Sequence, residues 1–393
     1  MMRFFIPWIT LCAFILISCK SKSQDAPVSG TQQPVPPYKW TEFSMGADLS
    51  YVNEIEDFRG KYFDSSVQAD PYRIFSEYGC NTVRVRLWYN PSWLLPITGG
   101  KLYSDLADVA KSVQRAHENN MAVSLDFHYS DTWADPDHQE TPEAWKELSL
   151  SVLSDSVYQY TLRVLQYLGA KNQVPEMVQV GNETNPGMLF PNGKVVSDDW
   201  SGFAALLKAG IRAVREFSVN SAVKPQIILH VAQFQNAEWW IDGIVNKAKV
   251  TDFDILGISH YAKWSTANRM DIIADKISNI KYKYRKKVMI VETAYPWTCL
   301  DADNYKNIIS AADSVAGYPV TPEGQLKYLT DLTQTIISAG GSGLHYWEPA
   351  WITSDMKDKW GTGSAWDNCT LFDFQGNTLK GLGFMRQSYK FPK

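Results

Sequence analysis

The sequence predicts an α/β protein, a single (β/α)8 barrel with its working face at the C-terminal ends of the strands. Two observations carry this. From Phe43 onward, eight short apolar or β-branched runs alternate with longer stretches of helical periodicity, the pattern of βα units around a parallel sheet. Polarity also rises sharply where each run ends, which is where a closed barrel opens.

In chain order the strands fall at 43–48, 82–88, 122–128, 177–181, 226–231, 253–260, 288–292 and 343–347. Helices fall at 105–119, 151–168, 203–217, 270–286 and 324–339, each with apolar residues at three- and four-residue spacing. Ahead of the first strand, residues 1–19 carry Arg3 and then an almost unbroken apolar run over 4–17. That run is too short to span a membrane with normal flanks and reads as a signal peptide. It ends in Leu16-Ile17-Ser18-Cys19, which resembles the bacterial lipobox. Cys19 is therefore expected to carry a lipid, and the chain to be an exported bacterial lipoprotein of the outer membrane, on its cell-surface or periplasmic side. Residues 20–37, rich in Ser, Gln and Pro, form a solvated tether, and 38–393 the catalytic barrel.

A formal net charge of -4 offers no basic surface for phosphates, so nucleic acid is excluded as a partner. The 15 Trp and 20 Tyr suit another class of ligand, because flat rings with one polar edge stack on the apolar faces of sugars. A polysaccharide substrate and a monomeric protein are expected. Of five cysteines, Cys12 leaves with the signal and Cys19 takes the lipid. Cys80, Cys299 and Cys369 cannot all pair, which leaves a Cys299–Cys369 bridge and three free thiols as equal alternatives.

The strand ends present Asp48, Arg84, Arg86, Trp88, Asp126, His128, Asn182, Glu183, His260, Tyr261, Glu292, Trp347 and Glu348. Breaking a glycosidic bond needs an acid to protonate the leaving oxygen and a carboxylate to meet the charge developing on the sugar. Glu183 ends the fourth strand beside Asn182, and Glu292 ends the seventh. One glutamate at a strand end is more often a solvated loop carboxylate, but two that face each other across a mouth reverse that preference. We assign Glu183 as acid/base and Glu292 as nucleophile, which predicts retention of configuration and carboxyls about 5 to 5.5 Å apart. The Asn182 amide is placed to meet the sugar 2-hydroxyl. Arg84 and Arg86 share one side of their strand, so one of them should lie near Glu292 and keep it ionised, unless it pairs with Asp126 instead. Tyr261 or His260 is expected to orient the nucleophile, with a satisfied core histidine as an even alternative. Trp88, Trp133, Trp297, Trp347, Trp351 and Trp366 fall at or just after strand ends, where a long sugar cleft would want them.

These segments resemble the arabinogalactan endo-β-1,4-galactanases, glycoside hydrolase family 53. The resemblance rests on Gly46–Ser50, Asn81–Trp88, Asp126-Phe127-His128-Tyr129-Ser130-Asp131-Thr132-Trp133, Val180–Asn185, Val291–Trp297, Gly317-Tyr318-Pro319, Tyr346–Trp351 and Trp366-Asp367-Asn368, in order along the folded chain. It implies a retaining endo-hydrolase of β-1,4-galactan that needs no cofactor for its chemistry, with Glu183 as proton donor and Glu292 as nucleophile. It also implies sugar contacts at Asp48, Arg84, Arg86, His128, Asp131, Trp133, Asn182 and Trp347; Trp88, His260, Tyr261 and Trp297 join them as candidates. Some bacterial members hold calcium after the seventh strand, and Asp301, Asp303 and Asn307 are the candidate ligands for one structural ion here. An ordinary Asp/Asn-rich turn is the alternative, and Cys299 and Cys369 in the two loops concerned would let a disulfide replace the ion. Two other functions are compatible with the same residues: a retaining β-mannanase or β-glucanase, and a non-catalytic surface glycan-binding lipoprotein.

Overall fold

A computed structural model describes residues 37–392; the signal segment, Cys19 and nearly all of the tether lie outside the described residues. Eight parallel strands close into one barrel: β1 (Ser44–Asp48), β2 (Thr82–Leu87), β3 (Ala122–Phe127), β4 (Met177–Val180), β5 (Gln226–Ala232), β6 (Ile255–His260), β7 (Lys287–Thr293) and β8 (Gly343–Tyr346). Each predicted strand is present with its ends moved by at most two residues. Around them run α1 (Val52–Asp57), α2 (Pro71–Glu77), α3 (Leu106–Glu118), α4 (Leu150–Gly169), α5 (Ser201–Asn220), α6 (Phe234–Asp242), α7 (Met270–Tyr284) and α8 (Pro322–Ser338). The five predicted helices are α3, α4, α5, α7 and α8. Helices α1, α2 and α6 were missed because six to nine residues are too few to display a period, although Asp70 capping α2 with Pro71 at its first turn is a legible start signal.

Side chains alternate between the barrel interior and the helix layer, and this sorts the strand-end residues. At the bottom of the barrel, Met177, Ile228, Ile255, Met289 and Val291 form an apolar plug against which Trp40 packs. Above it the Ser44 hydroxyl bonds Thr82 Oγ1 and His345 Nε2, both at 2.8 Å. Gly46 is required at this level, since a Cβ there would sit 2.1 Å from the His345 ring. Nearer the mouth, Arg84, Asp126, Gln179, His230 and Ser259 replace the apolar filling with a hydrogen-bonded polar layer.

Two backbone irregularities aim the carboxyls. Between β6 and β7 the register slips, so that Ile258 faces Ile290 while Ser259 faces Glu292. Val291 is the extra residue, and it points inward with the plug. Strict alternation would turn Glu292 outward; the bulge turns it back over the pocket. At the end of β4, Gly181 and Glu183 both adopt positive φ, 85° and 45°. The second of these is a strained, left-handed position for a glutamate, of the kind that persists where surroundings over-determine it.

Candidate active site

Arg84 is the hub of the site. It is 1 % exposed, and its guanidinium reaches Asp48 at 2.9 Å, Asp126 at 2.7 Å, Glu292 at 2.9 Å and Asn182 Oδ1 at 2.9 Å. The two sequence expectations for an arginine, contact with Glu292 or pairing with Asp126, are both realised in this one residue. A planar fork with five donors can serve several acceptors at fixed geometry, which lysine could not. Glu292 is completed from the other side by Tyr261, whose hydroxyl donates to its Oε2 at 2.9 Å. His260 is a correction: it has the opposite strand parity to Tyr261, faces the helix layer against Phe234, and lies 3.4 Å from the Tyr328 hydroxyl. It is a core histidine, and burial lowers its pKa to about 4.

The protonation states of the two glutamates separate by environment. Burial pushes Glu292 up to about 7, against the pull of Arg84 and the Tyr261 hydrogen bond. Glu183 keeps a solvent-facing edge, yet burial and then the charge of Glu292 push it well above the usual carboxylate range, with the Ser259 hydroxyl opposing. Two like charges cannot share such a site, so one proton stays on the pair at neutral pH. It stays on Glu183, because Arg84 touches Glu292 directly.

Other candidate residues form the floor and walls. Asp48 is buried, taking Ser50 and Arg84, and Arg86 is buried between Glu348, at 3.0 Å, and the rings of Tyr51, Trp88 and Trp133. Trp88 is likewise buried, at 1 % exposure, so Asp48, Arg84, Arg86 and Trp88 form a packed layer at this end of the barrel. His128 is held at both ring nitrogens, by Asp126 at 3.1 Å and the Ala134 N–H at 3.0 Å. Asn182 gives one amide hydrogen to the Ala134 carbonyl at 2.8 Å. Asp131 accepts the backbone N–H groups of Asn90 and Glu143 at 3.0 and 2.9 Å, so it braces loops. Trp133 and Trp347 keep partial exposure and lie 5.8 Å apart by ring centroids, with Trp366 buried 4.7 Å from Trp347. Trp297, also partly exposed, ties the loop after β7 to Asp367 O at 3.0 Å.

Gln179, His230 and Ser259 were missed by sequence reasoning. All three are fully buried polar residues inside strands β4, β5 and β6, and the available signal was a polar side chain of inward parity within an apolar run.

In the loops the structure favours one of the alternatives left open at each point. Cys299 is exposed and Cys369 buried, and both are free thiols, as is Cys80. Nor do Asp301, Asp303 and Asn307 fit calcium. Asp301 faces the Lys306 ammonium at 2.7 Å and the Asn307 amide NH2 at 2.8 Å, while Asp303 takes Tyr305 N, Thr353 Oγ1 and Ser364 N. Lone pairs turned onto N–H and O–H donors leave no convergent oxygen cage. Among the described residues no group of three or more His, Cys, Asp and Glu is arranged to hold a metal ion.

One carboxyl that keeps its proton and one that an arginine and a tyrosine hold in place, at the mouth of a closed barrel, place this protein among the (β/α)8 glycoside hydrolases. Comparison narrows the class. The profile of glycosyl hydrolase family 53 matches residues 44–385, and the chain belongs to that family. An arabinogalactan endo-beta-1,4-galactanase of Cellvibrio japonicus is 41% identical over 355 residues, 89% of this chain and 92% of the relative. An endo-beta-1,4-galactanase of Bacillus subtilis is 32% identical over 383 residues, 87% of this chain and 85% of the relative. Among solved structures, the family 53 catalytic domain of Ignisphaera aggregans superposes with a TM-score of 0.81 at 34% identity, covering 91% of this chain and 99% of that one.

Proposed function

We propose that this protein is an exported, lipid-anchored endo-hydrolase of β-1,4-galactan in type I arabinogalactan, acting with retention. Glu292 attacks the anomeric carbon while Glu183 protonates the leaving oxygen; Glu183 then takes a proton from the water that releases the glycosyl-enzyme. The observation that carries the assignment is the asymmetry around the two carboxyls. Arg84 and Tyr261 both bond Glu292, which favours an ionised nucleophile, while the proton resides on Glu183. The names of the relatives at 41% and 32% identity support galactan over mannan or glucan as the substrate. Trp133 and Trp347 offer partly exposed rings for the sugar faces.

The deciding experiment is a product profile on unsubstituted β-1,4-galactan, with mannan and cellulose beside it and the anomeric configuration read by NMR at early times. β-Configured oligogalactosides from galactan alone are expected; cleavage of mannan without galactan, or α-products, would remove the proposal. Glu183→Ala should lose nearly all turnover, which a glycan-binding protein would not notice. The barrel is proposed to act as a monomer carried by residues 20–37 on a lipid at Cys19, with the outer membrane as its partner. Cys19→Ser should release the protein from membranes.

A further inference from the structure

One buried titratable side chain beside the acid/base has no task in that mechanism. His230 on β5 is fully buried against the main chain of Glu183. The Glu183 backbone N–H points at its Nδ1 over 3.2 Å, and Gln179 Nε2 is 3.1 Å from the same atom. Its Nε2 is 2.9 Å from Ser259 Oγ, and the Ser259 hydroxyl lies close enough to the Glu183 carboxyl to oppose the rise in its pKa. We infer that His230 and Ser259 form a positioning relay for Glu183, in which one neutral imidazole fixes the main chain of the acid/base directly and its carboxyl through the serine hydroxyl. This rests on the reading of Glu183 as acid/base.

The direction of each hydrogen bond follows from what the donors can do. A backbone N–H only donates, and so does the NH2 of Gln179, so Nδ1 accepts and the ring proton sits on Nε2. Asn182 Oδ1, 2.9 Å from Nδ1, is the one neighbour this tautomer does not serve; it is already engaged by Arg84 Nη2 and Gln179 Nε2. Nε2–H then donates to Ser259 Oγ. A hydroxyl has one donor and two acceptor sites, so with one lone pair taken by His230 it can still accept from a protonated Glu183 or donate to an ionised one. The relay therefore fits both halves of the reaction without moving a proton on the ring. Burial, then the charges of Arg84 and His128, push the His230 pKa well below its ordinary value, which keeps the ring neutral with one donor and one acceptor end. The left-handed backbone at Glu183 is the kind of strain that needs such a clamp.

The test separates help given to the acid from ordinary packing. kcat/KM, which reports glycosylation, is measured for wild type, Ser259→Ala and Glu183→Ala on galactan and on an aryl β-1,4-galactobioside with a dinitrophenolate leaving group that needs no acid. Ser259→Ala is expected to lose about tenfold on galactan, the worth of one hydrogen bond to a charged group, and less than about twofold on the aryl substrate. Because the hydroxyl favours the ionised carboxyl, its loss should also raise the alkaline limb of the kcat/KM profile on galactan by about one pH unit. Equal losses on both substrates with an unmoved limb would overturn the relay. If Glu183→Ala itself shows no leaving-group dependence, it is the acid/base assignment that fails. Should Ser259→Ala not fold by circular dichroism, His230→Gln is expected to give the same leaving-group split, and its absence there would also overturn the relay.

Discussion

Tyr261→Phe removes one oxygen atom from beside Glu292, the proposed nucleophile, and leaves the ring packing against Trp264 and Trp366 in place. The lost contact is a 2.9 Å hydrogen bond to Glu292 Oε2; the Arg84 contact to Oε1, also 2.9 Å, survives. A hydrogen bond to a charged group is worth roughly 1.5–3 kcal/mol, which corresponds to about one to two pKa units. The sign follows from which form the bond favours. Tyr261 donates to the carboxylate, so its loss raises a pKa that burial has already pushed up to about 7. Glu292 must be ionised to attack, and the acid limb of kcat/KM in the free enzyme reports its titration. The variant's acid limb should therefore move up by about one to two units, and kcat/KM at pH 7 should fall roughly five- to fiftyfold. The assay is reducing-sugar release from linear galactan over about pH 4–9, with thermal melting of both proteins as a control for folding. An acid limb that stays in place, with wild-type kcat/KM above it, would refute the claim that this hydroxyl sets the nucleophile.

Three further outcomes are expected. Arg86→Met leaves Glu348 buried without its 3.0 Å partner and should destabilise the fold by about 3–5 kcal/mol in urea titrations. Glu54 is buried, and burial followed by the charge of Asp108 raises its pKa to about 8, so the folded state holds a proton that the unfolded chain releases near its ordinary value of 4.5. The stability this proton confers is full below pH 4.5 and lost as pH rises to about 8, so Tm should fall across that window and fall less in Glu54→Gln. Alkylation of the folded protein followed by peptide mass analysis should label Cys299 rapidly and spare Cys80 and Cys369, whose thiols burial pushes upward.

The barrel was legible because its eight strands are short apolar runs bounded by polar ends, and both glutamates were legible because they close such runs. What the sequence hid follows from single-residue parity. His260 and Tyr261 are neighbours and looked interchangeable, but strand alternation sends one outward to Tyr328 and the other inward to Glu292. That Asp48 and Arg86 are tied to Arg84 and Glu348 was not legible, because those partners lie on other strands. The 301–307 loop has oxygens at alternate positions, yet which atoms converge depends on Lys306, Thr353 and Ser364, two of them distant in sequence.

The bulge at Val291 makes the enzyme far less forgiving of length changes in one strand than in any loop. Because the extra residue there reverses which way the following side chain looks, pairing the same residues without the slip would swing the Glu292 carboxylate into the surrounding helices and turn Thr293 inward in its stead, and deleting Val291 would take a side chain from the plug. Loops over the rim can lengthen and shorten to suit new branches on a polymer, while β7 has to be inherited at constant count.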